Sequence, residues 1–232
     1  MSQVTDHPVR RLAVVGDSIA EGVGDDVTAS EGSWVPLLAT ELRRGGQVDL
    51  LNLGVRGRLA AEVRATQLDV ALRFGPDLAV VCAGGNDVLG RSYDAAAVAS
   101  ELDEMVGALA RAGALVVTFG LFDLSGTALV PPDRRPALRR RTLALNDAAR
   151  AAAERHHGVH VDFFADLHED LSLLSTDLVH PNRRGHAHVA AEVVAALAAE
   201  RARRPPGQSD PRSRHQWMPA GMTVSSSRPR IR

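Results

Sequence analysis

The sequence predicts an α/β protein built as a three-layer α/β/α sandwich around a five-stranded parallel sheet. Two observations lead to this fold class. Five short runs rich in apolar and β-branched residues each end in Gly or polar residues, as strands do. Segments with helical periodicity separate these runs, and parallel strands need such crossovers over a face of the sheet. Helices are therefore expected on both faces.

The predicted strands and helices alternate along the chain. The strands cover 12–15, 48–53, 78–82, 115–119 and 159–163. The helices cover 34–44, 59–74, 95–112, 134–156 and 182–201, and most of them are rich in Ala, Leu and Arg, which favour helix. The segments after Ser18 and after Asn86, together with 121–132 and 165–181, are predicted as loops. Such an alternation is typical of a flavodoxin-like sheet.

The length of 232 residues suits one domain, which we place at 1–202. The segment 203–232 is rich in Arg, Pro and Ser and lacks apolar periodicity, which predicts a disordered tail. Residues 201–232 hold eight Arg against the single acid Asp210, so the tail is basic and the domain acidic. An arm that binds an acidic partner or RNA is an alternative, but aromatic residues are sparse there and no nucleic acid is expected.

The overall composition is that of an ordinary globular protein, with 45% hydrophobic and 24% charged residues and a net charge of -1. The first residues lack the pattern of a signal peptide, and no apolar run approaches membrane-spanning length. These features predict a cytoplasmic protein with no membrane span. The lone Cys82 excludes an internal disulfide and is interpreted as a core residue. The sequence makes no prediction of oligomeric state.

Polar residues follow the carboxyl ends of the predicted strands, where the ligand crevice of a parallel sheet lies. Four such clusters occur, at Gly16 to Ser18, Asn52 to Gly57, Gly84 to Asp87 and Asp177 to Asn182. Taken singly, the clusters Gly16 to Ser18 and Gly84 to Asp87 are also typical of caps and turns, and Asp177 with His180 could be a solvated surface pair. Together they offer a nucleophile, a base, an orienting acid and oxyanion donors, the set that acyl transfer needs.

The four clusters lie in segments that resemble the signature blocks of the SGNH/GDSL hydrolases, in order and in spacing. The segments read GDSIAEGVG, NLGVRGRLA, AGGNDVL and DLVHPNRRGH. The resemblance implies a serine hydrolase that cleaves small-molecule carboxylic acyl esters through an acyl-serine intermediate, with no cofactor and no metal. Two positions depart from the commoner family pattern: Ile19 stands where Leu is commoner, and Leu178 where Gly is frequent.

The resemblance also implies a role for each site residue. Ser18 is the nucleophile, His180 is the general base and then the acid, and Asp177 orients His180 and stabilises its positive charge. Asn86 donates its side-chain amide to the oxyanion, and the backbone N–H groups of Gly57 and Ser18 complete the oxyanion hole. The chemistry is coherent, because serine attacks only once a neutral imidazole takes its proton and an oxyanion needs donors fixed in advance.

Several other residues are interpreted as structural. Gly54 is predicted as a turn at the end of a strand. A run of arginines opening the helix 134–156 is interpreted as a solvated helix face rather than an anion site, and it comprises Arg134, Arg135, Arg139, Arg140 and Arg141. His156 and His157 are cations at a helix C-terminus. His186 and His188 could suggest a metal, but no metal-binding sequence pattern accompanies them.

Other functions compete with an acyl esterase. A carbohydrate or other O-deacetylase would use the same residues, although an aromatic content of 3% offers little surface for sugar stacking. An α/β-hydrolase would carry its serine in G-x-S-x-G after several strands, unlike Ser18. A non-catalytic flavodoxin-like binding module would hold phosphate after the first strand, where four acids between Asp17 and Asp26 would repel it. An inactive scaffold is the remaining alternative.

Overall fold

The computed structural model of the chain describes residues 9–25, 27, 31–166 and 170–203. The predicted tail, 203–232, lies outside these residues except for Arg203, where the last helix ends. The five strands are β1 (Arg11–Gly16), β2 (Asp49–Asn52), β3 (Leu78–Cys82), β4 (Leu115–Gly120) and β5 (Val159–Asp162). The helices are α1 (Ser18–Glu21), α2 (Trp34–Arg43), α3 (Ala60–Phe74), α4 (Gly85–Leu89), α5 (Ala95–Arg111), α6 (Arg135–Arg155) and α7 (Arg183–Arg203).

The strands form one sheet in the order β2-β1-β3-β4-β5, and every pairing is parallel. This confirms the predicted fold class. The chain winds from β1 outward to β2 and then crosses back to β3, so the direction of winding reverses between β1 and β3. In open sheets of this kind, the crevice for ligands opens at the carboxyl ends of the two strands on either side of that reversal.

The sheet is buried on both faces by two apolar clusters. Leu12 and Val14 of β1 point into the cluster packed under α2 and α7. Ala13 and Val15 point to the opposite face, into the cluster under α3, α5 and α6. Successive strand residues face opposite sides, so near-continuous apolar runs are what a sheet covered on both faces requires.

The predicted ends of the five strands and five helices differ from the observed ends by at most two residues. Two short helices, α1 and α4, occupy positions predicted as loops. A single turn of helix is too short to show apolar periodicity, and both begin at polar residues or Gly that also suit loops. None of the helices in the described residues has the length and apolar composition needed to cross a membrane.

Candidate active site

Ser18 lies at the carboxyl end of β1, where the strand turns sharply into α1. A side chain at Gly16 would place its Cβ 2.0 Å from the carbonyl oxygen of Cys82 on β3, so only Gly allows this approach of β1 to β3. Asp17 then caps α1, accepting the N–H of Ile19 at 3.1 Å. Ser18 is the first residue of the helix and its side chain faces the crevice.

Ser18, His180 and Asp177 form one chain of hydrogen bonds. The Nε2 atom of His180 lies 2.8 Å from the Oγ atom of Ser18, and its Nδ1 atom lies 2.6 Å from Oδ2 of Asp177. Partial burial acts to raise the pKa of Asp177, but hydrogen bonds from His180 and Val179 outweigh it and hold that pKa below its usual value. Asp177 is therefore ionised and accepts the Nδ1 proton, which leaves Nε2 free to accept one from Ser18.

The turn that carries Asp177 and His180 is not helical and lies in the predicted loop 165–181. Oδ1 of Asp177 accepts the backbone N–H groups of Val179 and His180 at 2.9 and 3.0 Å, and Leu178, which directly follows Asp177, has a φ of +58°. Left-handed backbone at a non-Gly residue costs about 1–2 kcal/mol. This conformation explains why Gly is frequent at the position of Leu178.

A second set of contacts fixes this turn to the loop after α1. Asp25 accepts the backbone N–H of Thr176 at 2.5 Å, and its own N–H donates to the hydroxyl of Ser175 at 2.8 Å. That hydroxyl in turn donates to the carbonyl of Pro181 at 3.0 Å. The position of His180 relative to Ser18 is thus set by bonds on both sides of the turn.

The three predicted oxyanion donors, Ser18, Gly57 and Asn86, line the same cavity. In the described part of the chain, the backbone N–H groups of Ser18 and Gly57 donate to no other residue. The side-chain amide of Asn86 donates one hydrogen to the carbonyl of Arg58 at 3.0 Å, and an amide carries a second. Among the described residues, no protein partner therefore competes for the N–H groups of Ser18 and Gly57 or for the second amide hydrogen of Asn86.

The structure separates the roles of Gly57 and Gly54. Gly57 lies on the cavity wall with a left-handed φ of +78°. Gly54 is not on that wall, and a Cβ there would lie 2.2 Å from the backbone nitrogen of Glu21. Gly54 is thus required for close packing of the loop on α1, a reason that differs from the predicted strand-end turn.

Asp17 is a site residue that the sequence interpretation left without a role. Its side chain is almost fully buried, at 3% exposed, and it accepts N–H groups of Ile19 and Gly85. Burial raises the pKa of Asp17 to about 6, against those hydrogen bonds and the attraction of His180. One carboxylate therefore joins the loop of Ser18 to the loop of Asn86.

Beside Ser18 and His180 the cavity is apolar. Its volume is about 330 Å³, near the lower end of small-molecule pockets. Arg56 and Asn86 line it together with an apolar wall of hydrophobic residues, namely Val88, Leu89, Leu121, Phe122, Leu124 and Leu138. Most of this wall comes from the segment after β4 and from the first turns of α6.

The arginines at the start of α6 hold this wall in place, which the predicted solvated face did not anticipate. Arg139 pairs with Asp123, whose side chain is 1% exposed, and stacks on the ring of Phe164. Arg141 donates to the carbonyl of Gly90 at 2.8 Å and so fixes the end of α4. Arg135 donates to the carbonyl of Val130 at 3.2 Å. The helical periodicity of the sequence does not indicate which distant groups these arginine side chains contact.

Three other histidines in the described residues, His156, His186 and His188, have structural partners. His186 is fully buried, accepts the N–H of Trp34 at 3.3 Å through Nδ1 and donates from Nε2 to the carbonyl of Val23 at 3.1 Å. His188 contacts Asp166 and His156 contacts Asp103. Among the described residues no group of three or more His, Cys, Asp or Glu side chains is arranged to hold a metal.

Comparison with protein families gives one match. The sequence profile described as the GDSL-like Lipase/Acylhydrolase family matches residues 14–188, which is most of the chain and includes every proposed site residue. Comparison with curated protein sequences gives no significant match.

Solved structures share the fold over nearly their whole length. TesA is 26% identical with a TM-score of 0.66, and the match covers 82% of this chain and 99% of TesA. LAE5, an alpha/beta hydrolase enzyme from the metagenome of Lake Arreo, Spain, is 24% identical with a TM-score of 0.69, over 85% of this chain and 99% of LAE5. A lipase/acylhydrolase from Enterococcus faecalis is 21% identical with a TM-score of 0.67, over 82% and 96% respectively.

Proposed function

We propose that Ser18 is the nucleophile of this protein. The chain belongs to the GDSL-like lipase/acylhydrolase family and is a carboxylic ester hydrolase. The observation that carries this proposal is the chain of hydrogen bonds from Ser18 through His180 to Asp177, at 2.8 and 2.6 Å. It contains, in order, the three groups that turn a serine hydroxyl into a nucleophile.

In the first half of the reaction, Nε2 of neutral His180 takes the hydroxyl proton as Oγ of Ser18 bonds to the ester carbonyl carbon. The carbonyl oxygen becomes an oxyanion and accepts hydrogen bonds from Gly57, Asn86 and the backbone of Ser18. Asp177 stabilises the imidazolium. His180 then gives its proton to the leaving alcohol oxygen, the C–O bond breaks, and an acyl-serine remains.

In the second half, a water molecule attacks the acyl carbon while His180 accepts one of its protons. The tetrahedral intermediate collapses when the bond to Oγ breaks and His180 returns the proton to Ser18. The carboxylic acid product leaves, and the enzyme is restored with His180 neutral. Asp177 keeps its charge throughout and orients the same imidazole in both halves.

We assign the acyl group of the substrate to the apolar side of the cavity. Leu121, Phe122, Leu124 and Leu138 offer hydrocarbon contact and no hydrogen-bond partner for sugar hydroxyls. Each methylene buried there contributes about 0.8 kcal/mol. An ester with an aliphatic acyl chain gains from such a wall, whereas an acetyl group leaves most of it empty.

The nucleophile is tested with Ser18→Ala and a fluorophosphonate probe. The wild-type protein is expected to take up one probe per chain and lose esterase activity in step with labelling, and the variant to show neither labelling nor activity while keeping its melting temperature. Hydrolysis by a pure Ser18→Ala sample would overturn the assignment.

The substrate class is tested with p-nitrophenyl acetate, butyrate, hexanoate, octanoate and dodecanoate. We expect kcat/KM to rise from the acetate toward a longer chain and to fall once the cavity is full, with each methylene worth up to about fourfold. A maximum at acetate would favour the O-deacetylase alternative instead.

A further inference from the structure

Glu21 and Arg56 form a forked ion pair at the mouth of the cavity. The guanidinium of Arg56 donates to Oε1 of Glu21 from Nη2 at 2.6 Å and from Nε at 3.0 Å. The backbone N–H of Arg56 also donates to Oε2 of the same carboxylate, at 2.6 Å. One carboxylate thus holds both the main chain and the side chain of Arg56.

This fork joins two segments that carry proposed oxyanion donors. Glu21 is the last residue of α1, three positions after Ser18, and Arg56 directly precedes Gly57. On the other flank, the carbonyl of Arg58 accepts the side-chain amide of Asn86 at 3.0 Å. The segment 56–58 is therefore tied to the segment of Ser18 on one side and to Asn86 on the other.

Gly57 itself has little else to fix its position. A Cβ built there would meet no atom within 4 Å, so no packing constrains the residue, and its left-handed φ suits a flexible glycine. The direction of its N–H therefore depends on the contacts of its neighbours. Of the contacts of its two chain neighbours, the fork from Arg56 to Glu21 reaches the helix of Ser18, and Asn52 ties the start of the same loop to that helix by donating to the carbonyl of Ala20 at 2.8 Å.

We infer that Glu21 and Arg56 are a positioning pair that keeps the backbone N–H of Gly57 directed at the same oxyanion as the backbone N–H of Ser18. This inference rests on the proposed oxyanion hole. An ordinary exposed ion pair contributes little to stability, but here the same carboxylate also binds the backbone N–H of the residue directly before Gly57. The hydrogen bond from Arg56 is the main reason that the pKa of Glu21 lies below its usual value, so the carboxylate is charged and the fork persists at neutral pH.

The test uses Glu21→Gln, Arg56→Gln, Arg56→Lys and the double variant Glu21→Gln/Arg56→Gln. Each single substitution is expected to lower kcat about tenfold with KM within about twofold, because a donor displaced by a fraction of an ångström costs that much. Arg56→Lys should behave like Arg56→Gln, since lysine keeps the charge but cannot form the fork. The kcat of the double variant should be no lower than that of the less active single variant.

A trifluoromethyl ketone, which forms a tetrahedral oxyanion with the serine, separates positioning from general stability. Its affinity should weaken in proportion to kcat/KM across the four variants. Active-site titration corrects each sample for its active fraction. The matched control is Glu41→Gln, which breaks a comparable exposed pair with Arg44 on α2 and should keep wild-type kcat.

Each of these results in the Glu21 and Arg56 variants would overturn the inference: kcat within twofold of wild type in both single Gln variants, a loss confined to KM, or unchanged ketone affinity while kcat falls. An equal loss in Glu41→Gln would do the same. Ser18→Ala in the same series distinguishes this failure from failure of the proposed function. If Ser18→Ala is inactive and Glu21→Gln is normal, only the positioning role is lost, whereas an active Ser18→Ala removes the nucleophile assignment.

Discussion

His180 and Ser18 are 162 positions apart in the chain, yet Nε2 and Oγ lie 2.8 Å from each other. The serine comes from the end of β1 and the histidine from the last loop before α7. Asp25, whose carboxylate binds Thr176, joins the two segments next to the reacting atoms. Their alignment is therefore built into the loops and does not depend on a substrate.

Asp177→Asn should lower kcat by about 10²- to 10⁴-fold with little change in KM. The amide oxygen can still accept the N–H groups of Val179 and His180, so the turn survives. The amide nitrogen, however, would face Nδ1 of His180 and favour the tautomer with the proton on Nε2, which cannot accept a proton from Ser18. Steady-state kinetics and melting temperature on one sample check this. Unchanged turnover would remove Asp177 from the triad.

Asn86→Ala should reduce kcat by about 10²- to 10³-fold, because it removes a donor that acts mainly in the transition state. The contact to the carbonyl of Arg58 means that some thermal stability is also lost. Turnover per titrated active site separates the two effects. A value within about threefold of wild type, or only about 0.65 kcal/mol of barrier, would leave Asn86 with a structural role alone.

Leu138→Trp should shift the substrate preference toward short acyl chains, because the larger ring would occupy the apolar side of the cavity. We expect the ratio of kcat/KM for octanoate to that for acetate to fall at least tenfold, the equivalent of about two methylenes. Leu143→Trp is the matched control, since Leu143 lies on the same helix but is exposed and does not line the cavity. A parallel shift in the control would show that the effect is not local.

His186 should make the fold sensitive to acid. Burial lowers the pKa of His186 from 6.5 to about 4. Between these pH values the imidazole is protonated in the unfolded chain and neutral in the folded chain. Stability contributed by this neutral ring is full above pH 6.5 and is lost as the pH falls toward about 4, by roughly 3 kcal/mol.

The measurement for His186 is melting temperature against pH for wild type and His186→Gln. Asp17 works in the opposite sense, because its raised pKa favours the folded state as the pH falls below about 6, so the difference between the two proteins is the informative quantity. His186→Gln should lose less stability than wild type as the pH falls from 6.5 to about 4. Parallel curves would contradict the assignment, and His157→Gln at an exposed position is the control.

The main elements were predictable because their signals are local. Strands such as β3 are continuous apolar runs. The residues after β1 and β3 match short signature blocks of the family, and these matches identify Ser18 and Asn86 as candidates. The unpredicted parts depend on distant partners. Nothing in the sequence around Asp123 reports that Arg139 binds it, and Leu178 gives no sign of its left-handed backbone. The single turns α1 and α4 are too short to show a period.

The apolar wall described above has a consequence for how this enzyme can be changed. The proposed reacting groups lie before residue 87 and after residue 176. Much of the wall, including Leu121, Phe122, Leu124 and Leu138, lies in one intervening stretch anchored by Arg139 and Asp123. The proposed acyl site and the proposed reacting groups are thus encoded in different parts of the gene. A library randomised at these four leucine and phenylalanine positions, with the anchor kept, can diversify the accepted acyl group without altering the machinery that cleaves it.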